Sequence, residues 1–255
     1  MGAPADDAGE SEWISLLKQH RQEAHEALTA PARPSSARDL PSEHRGGSAS
    51  GHLVVLCHGL EGTSNDLDYV SRTVLSKGEA YGMGKATVFA SRVNTGNTKD
   101  GVAAGGARLS IEVAEYVHQH PGLDTISFVG HSLGGLYARY AAAVLSSPDG
   151  RVAGLKAGAF VTTCSPHIGL RRYTIAFAPS ALHPMAWAVL GQTGTDLFLR
   201  GRDPLLLVMA TSTHFLAPLR GFERRRAYAN LQGDALVPFA SAAFMVAPPG
   251  SGGGG

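Results

Sequence analysis

The pentapeptide Gly130-His131-Ser132-Leu133-Gly134 has the residue types and spacing of a serine nucleophile held in a sharp turn. It follows an apolar run typical of a β-strand and precedes apolar residues that recur at helical spacing. A serine in such a strained turn needs small neighbours two positions away, and Gly130 and Gly134 supply them. The sequence therefore predicts that Ser132 is a nucleophile for acyl transfer. The alternative is a turn serine that only caps the helix.

Acyl transfer also requires two N–H groups that point at the developing oxyanion. We expect one from Leu133, the residue after Ser132, and the other from Leu60, in the loop after an earlier apolar run. Gly59 lets this loop come close to a substrate. His58 is expected to shape the loop rather than to transfer protons.

The composition is that of an ordinary globular protein. The chain has 255 residues, of which 44% are hydrophobic and 17% charged, enough for one α/β domain with a sizeable core. A net charge of +1 gives no electrostatic case for a nucleic-acid partner. The N-terminus lacks the basic region and apolar core of a secretory signal, and only two cysteines are present, so an intracellular, reducing setting is expected.

Strand and helix patterns alternate along the chain, which predicts an α/β fold with a mostly parallel central sheet and helices on both faces. A continuous apolar run at residues 52–57 is typical of a strand covered on both faces, and further strands are predicted at residues 86–91, 124–130, 158–164 and 225–230.

The domain organisation follows from composition. Residues 1–51 are expected to form an N-terminal arm with one helix and a Pro/Ser/Gly-rich linker, frayed or loosely docked. The alternative is that Trp13 and its neighbours dock on the core or touch a lipid surface. Residues 52–246 form the predicted domain. A cap at about residues 170–222 would cover an acyl chain with apolar side chains. The Gly-rich tail, residues 247–255, is expected to be disordered.

Five motifs in order resemble the serine esterases of the α/β-hydrolase superfamily, lipase-like proteins related to fungal lipid-droplet phospholipases. The motifs are HLVVLCHGLEGTSND, VNTGNTKDGVAAGGARLSIEVAEYV, ISFVGHSLGGLYARYA, TTCSPHIG and YANLQGDALVPFASAAF. The resemblance implies an α/β-hydrolase fold and ester hydrolysis in lipid metabolism, without a metal or an organic cofactor.

This resemblance also assigns individual residues. Ser132 falls on the nucleophile and Asp234 on the acidic member of the triad, for which the alternative is a loop-capping aspartate. Cys57 and Cys164 would end the strands on either side of the strand that precedes Ser132. Two strand spacings separate them by about 10 Å, beyond the reach of a disulfide.

The histidine of the expected triad is not found. The order in the family is Ser, Asp, His, yet no histidine follows Asp234. Three interpretations stay open: the C-terminal strand and histidine loop are missing from this chain, another histidine substitutes, or the fold is kept for binding. His167 is a weak candidate for the substitute, ahead of His131 and His214.

The sequence thus predicts a serine ester hydrolase (a lipase, phospholipase or carboxylesterase) that acts on a lipid or another acyl ester through an acyl-enzyme. The alternatives are a catalytically defective hydrolase fold that acts as a binding or scaffold protein, and an acyltransferase that uses the same site. The expected setting is the cytoplasm, with peripheral contact to a membrane or lipid droplet.

Overall fold

The computed structural model describes residues 11–30, 50–170, 189–234 and 236–245. Its five strands form one sheet in the order β2-β1-β3-β4-β5, and all neighbouring strands are parallel. The strands are β1 (Ser50–Cys57), β2 (Ala86–Ala90), β3 (Gly122–His131), β4 (Lys156–Thr163) and β5 (Arg224–Tyr228).

Helices cover both faces of this sheet, which confirms the predicted α/β fold. Leu53, Val55 and Cys57 of β1 belong to the main core on one face, whereas Val54 and Leu56 belong to a smaller core on the other. The apolar run of β1 is continuous because both of its faces are buried. The helices are α1 (Glu12–Thr29), α2 (Asp68–Lys77), α3 (Val102–Gln119), α4 (Leu133–Leu145), α5 (Gly191–Leu197), α6 (Leu205–Thr211), α7 (Thr213–Gly221) and α8 (Phe239–Ala242).

Helix α4, which begins directly after Ser132, is held in place by close packing against α3. A β carbon on Gly105 would lie 2.2 Å from Cε1 of Tyr137, and one on Gly106 would lie 2.5 Å from Cβ of Tyr140. Such separations are well below van der Waals contact, so only glycine permits this approach. The two aromatic rings of α4 therefore fill the space that the two glycines of α3 leave.

Helix α1 packs against the main core, which is the docked alternative and not the frayed or loosely docked arm. Leu17 is fully buried in the main core. Arg21 donates two hydrogen bonds, of 3.1 and 2.9 Å, to the carbonyl oxygen of Ala143 in the last turn of α4. The His20 ring is 3.0 Å from the Tyr140 hydroxyl. The last carbonyl groups of a helix have no intrahelical N–H donor, and Arg21 supplies donors to one of them.

Replacing Leu17 by alanine tests this docking. We expect the free energy of unfolding to fall by about 2–5 kcal/mol, because the change removes a buried leucine side chain and leaves a cavity. Urea denaturation followed by circular dichroism measures the change. Ser15→Ala, at an exposed position of the same helix, is the control and should change stability by less than about 0.5 kcal/mol. Equal effects of the two substitutions would contradict the docking of α1.

The predicted cap is described only in part. Residues 171–188 lie outside the described residues, as do the N-terminal linker and the Gly-rich tail. Helices α6 and α7 pack against α4 on the main-core face, where the Phe215 and Tyr140 ring centroids are 5.6 Å apart. The covering of a substrate site by residues 170–222 stays a prediction. No helix in the described ranges is long and apolar enough to cross a membrane.

Candidate active site

Ser132 lies in a strained turn at the carboxyl end of β3. Its backbone angles are φ 53° and ψ −125°. A positive φ is strained for any residue other than glycine. The turn is fixed on both sides: the Ser132 N–H donates to the Thr163 carbonyl of β4 at 2.8 Å, and the Gly135 N–H donates to the Ser132 carbonyl at 3.1 Å. The Ser132 side chain is half-buried at the N-terminus of α4.

The loop after β1 packs directly against this turn. A β carbon on Gly59 would lie 2.8 Å from Cβ and 3.3 Å from Oγ of Ser132. A β carbon on Gly134 would lie 2.2 Å from the Cys57 carbonyl oxygen, and one on Gly130 would lie 2.4 Å from Cα of Gly135. The glycines expected to shape the site therefore allow three backbone segments to converge on Ser132.

The N–H groups of Leu60 and Leu133 are the predicted oxyanion donors. Leu133 is the first residue of α4, so its N–H has no intrahelical acceptor. The backbone hydrogen bonds of the described loops and turns do not engage either group. The Gly59 backbone, which precedes Leu60, lies against Ser132, whereas the role of the two N–H groups as oxyanion donors stays a prediction. Donors without a backbone acceptor are what an oxyanion site requires.

His58 holds the loop after β1 rather than approaching Ser132. Its ring is buried, with Nδ1 3.0 Å from the Gly59 carbonyl oxygen and Nε2 3.3 Å from the Thr95 hydroxyl. A second hydrogen bond joins the two loops: the Glu61 N–H donates to the Thr98 hydroxyl at 3.0 Å. Two threonines of the loop after β2, Thr95 and Thr98, thus hold the loop that carries Leu60 in place. We call these two contacts the brace.

The sequence alone assigned no role to the segment that contains these threonines. The brace is itself anchored by α3, where the Arg108 Nε donates to the Asn94 side chain at 2.9 Å and the Asn94 amide donates to the Gly105 carbonyl at 2.9 Å. Glu112 of the same helix accepts a 2.5 Å hydrogen bond from Ser91 at the end of β2. Burial raises the pKa of Glu112. The polar residues clustered in residues 91–100 were the signal that could have indicated a structured loop.

Asp234 follows β5, at the same edge of the sheet as Ser132. Its Oδ1 accepts N–H hydrogen bonds from Leu236 at 3.1 Å and from Val237 at 2.8 Å. Burial and the nearby Asp234 carboxylate raise the pKa of the Cys164 thiol. Loop capping, the alternative weighed for Asp234, is therefore part of what this side chain does. The triad role stays a prediction.

The histidines near this edge are engaged elsewhere. His131 contacts the Thr163 hydroxyl at 3.0 Å, and His167 contacts the Thr162 hydroxyl at 2.8 Å while its ring stacks on Phe244. His214 lies in α7, on the main-core face. Within the described residues, no hydrogen bond joins the Ser132 hydroxyl to a histidine.

The two cysteines are free and buried, as expected. Strand β3 separates the strands that end at Cys57 and precede Cys164. Burial raises the pKa of the Cys57 thiol, so neither cysteine has the lowered pKa of a nucleophilic thiolate.

Comparison with known sequences gives a family for residues 48–245, which match the family described as "Putative serine esterase (DUF676)". The chain is 33% identical over 205 residues to "Putative lipase ROG1" of Saccharomyces cerevisiae, covering 76% of this chain and 28% of that protein. It is 29% identical over 220 residues to "Putative lipase C4A8.10" of Schizosaccharomyces pombe, covering 80% and 27%. The chain thus spans about a quarter of the length of these curated relatives.

Similar solved structures include an extracellular α/β-hydrolase from a Paenibacillus species, at 13% identity and a TM-score of 0.35, covering 76% of this chain and 94% of that one. The thioesterase RedJ of Streptomyces coelicolor matches at 15% identity and a TM-score of 0.39, covering 90% and 91%.

Proposed function

The chain belongs to the DUF676 serine esterase family, and from this premise we propose that it is a serine ester hydrolase that forms an acyl-enzyme on Ser132. The observation that carries the proposal is the strained turn of Ser132, against which the loop after β1 packs. Among the described loops and turns, the N–H groups of Leu60 and Leu133 make no backbone hydrogen bond, which leaves them available as the proposed oxyanion donors. Esters of lipids are the proposed substrate class, because the relatives are named lipases.

In the proposed mechanism, Ser132 Oγ attacks the ester carbonyl carbon while its proton passes to a general base. The carbonyl oxygen becomes an oxyanion, which accepts hydrogen bonds from the Leu60 and Leu133 N–H groups. Collapse of this intermediate expels the alcohol, which takes the proton, and leaves the acyl group on Ser132. Water then attacks the acyl-enzyme and releases the carboxylic acid. Asp234 would orient the base and stabilise its charged form.

The competing function is a hydrolase fold that binds acyl esters without turnover. It is favoured by one observation: the described histidines form no hydrogen bond with Ser132. An unactivated serine hydroxyl is a weak nucleophile near neutral pH. An acyltransferase would use the same acyl-enzyme with an alcohol in place of water. The expected cytoplasmic setting and contact with a membrane or lipid droplet also stay predictions.

Fluorophosphonate labelling separates the esterase from the binding protein. The reagent bonds covalently to activated serines, so we expect stoichiometric modification at Ser132, located by mass spectrometry of peptides. Ser147→Ala, at an exposed loop position, should label like the wild type. No adduct at a concentration that saturates an ordinary lipase would overturn the esterase proposal in favour of binding without turnover.

Replacing Asp234 by asparagine distinguishes the triad role from loop capping. Asparagine keeps the carbonyl oxygen that can accept the Leu236 and Val237 N–H bonds, so stability should change by less than about 0.5 kcal/mol. Loss of the negative charge should slow labelling of Ser132 by roughly 10²-fold or more. The measurements are the labelling rate constant and the urea midpoint. An unchanged labelling rate would leave Asp234 with the structural role alone.

A further inference from the structure

The buried polar atoms without a hydrogen-bond partner in the described chain all belong to one cluster. They are Nε and Nη1 of Arg139, Oγ of Ser165 and Nδ1 of His167. The three residues are only 3%, 1% and 2% exposed. Buried polar groups in native proteins are paired with few exceptions, so four unpaired atoms in three neighbouring side chains require an explanation.

The three side chains meet where α4 passes the segment after β4. Ser165 Oγ lies against Gly135, because a β carbon there would be 2.0 Å away from it. Arg139 is one helical turn further along α4. The His167 N–H donates to the Ser165 carbonyl at 2.9 Å, and its Nε2 contacts the Thr162 hydroxyl, which leaves Nδ1 as the free ring atom.

Arg139 is the charged member, and no carboxylate of the described residues forms an ion pair with it. Among the described residues its hydrogen bond goes from Nη2 to the Met209 carbonyl at 2.6 Å, and the ion pairs of the described chain do not include it. Burial lowers the pKa of Arg139 to about 10, so the guanidinium still carries its charge at neutral pH. An isolated buried charge is strongly unfavourable unless an opposite charge reaches it.

The charge of the cluster defines the partner that would complete it. Burial, with help from the Arg139 charge, lowers the pKa of His167 to about 3, so its ring is neutral near pH 7. The cluster then carries one positive charge and offers donors from arginine and serine and, in the tautomer protonated at Nδ1, from histidine. One small monovalent anion would neutralise the charge and satisfy these donors, whereas the burial of all three residues excludes a bulky one.

We propose that Arg139, Ser165 and His167 form an internal site for a small monovalent anion such as chloride or formate. The site is separate from the Ser132 turn: Arg139 lies about two helical turns beyond that serine along α4. Its function is to stabilise the contact between α4 and the segment after β4. It does not depend on the esterase proposal.

Thermal unfolding in salts of matched ionic strength tests the proposal. Gluconate is too large for an enclosed site, so sodium gluconate is replaced stepwise by sodium chloride or sodium formate. We expect the wild-type Tm to rise by roughly 3–6 °C for each tenfold increase in the small anion above its dissociation constant. Arg139→Met should lose this dependence and, in gluconate, be at least as stable as the wild type. Arg202→Met, at an exposed position, should behave like the wild type.

A binding measurement keeps the test independent of how the variants fold. Equilibrium dialysis of the wild type against radioactive chloride should show one ion per chain, and Ser165→Ala should bind it more weakly. The proposal is overturned if the wild-type Tm is the same in gluconate, chloride and formate. It is equally overturned if Arg139→Met keeps the anion dependence, or if dialysis shows no bound ion.

Discussion

Replacing Ser132 by alanine is expected to lower kcat/KM for p-nitrophenyl ester hydrolysis on the order of 10³-fold or more. Alanine removes the attacking oxygen but leaves the Leu60 and Leu133 N–H groups in place, so only the acyl-enzyme pathway is lost. Initial rates over a range of substrate concentrations separate kcat from KM. The fall should appear in kcat, because the substrate contacts are unchanged.

Replacing Ser132 by glycine adds a readout of stability to the same position. The Ser132 backbone has φ 53°, a conformation that costs on the order of 1–3 kcal/mol for a residue with a β carbon and little for glycine. We expect Ser132→Gly to lose hydrolysis like Ser132→Ala, but to unfold at a higher urea concentration than Ser132→Ala. Hydrolysis that survives in both variants would exclude Ser132 as the nucleophile. Equal stability of the two variants would contradict the strain.

Replacing Gly134 by alanine is expected to lower the free energy of unfolding by about 2–3 kcal/mol or more. The added β carbon would lie 2.2 Å from the Cys57 carbonyl oxygen and 2.5 Å from that of His58. Both obstacles are backbone atoms, so no side-chain rotation relieves the clash, and α4 must move away from the end of β1. The same movement would separate Leu133 from the Gly59 segment and reduce labelling of Ser132.

A second glycine on a helix serves as the control for Gly134. Gly221, at the end of α7, would place a new β carbon 3.2 Å from its nearest neighbour, the Gly150 carbonyl oxygen. Gly221→Ala should therefore change stability and labelling far less than Gly134→Ala. Urea denaturation and fluorophosphonate labelling measure the two effects. A Gly134→Ala protein with wild-type stability would show that the carboxyl end of β1 does not press against α4.

The strands were predictable because their signal is local. Apolar residues dominate β1, and its run is continuous because alternate residues enter different cores, Leu53 and Val55 on one face and Val54 and Leu56 on the other. Strand β5 is the exception, because its residues are charged or exposed. The turn at Ser132 was predictable for a similar reason, since its glycines, strand and helix are adjacent in sequence.

The brace around His58 was not predictable in the same way. Its contacts join Thr95 and Thr98 to residues 37 positions earlier in the chain, and no short-range pattern encodes such pairs. Helix α1 was not predictable in position for the same reason. Its apolar residues favour a helix, but its packing against α3 and α4 is what buries Leu17. Asp234 carried a motif for one role, whereas the structure adds N–H hydrogen bonds and a thiol contact that the motif does not contain.

The sequence by itself determined the α/β class, the strand order along the chain and the turn that carries Ser132, because these depend on periodicity and on glycines a few residues apart. Only the tertiary structure decided which loops meet at Ser132, how α1 is held and that the buried Arg139 has no carboxylate partner among the described residues. Those features arise from contacts between distant segments, and their energy depends on burial and on the pairing of polar groups. Neither quantity exists until the chain has folded.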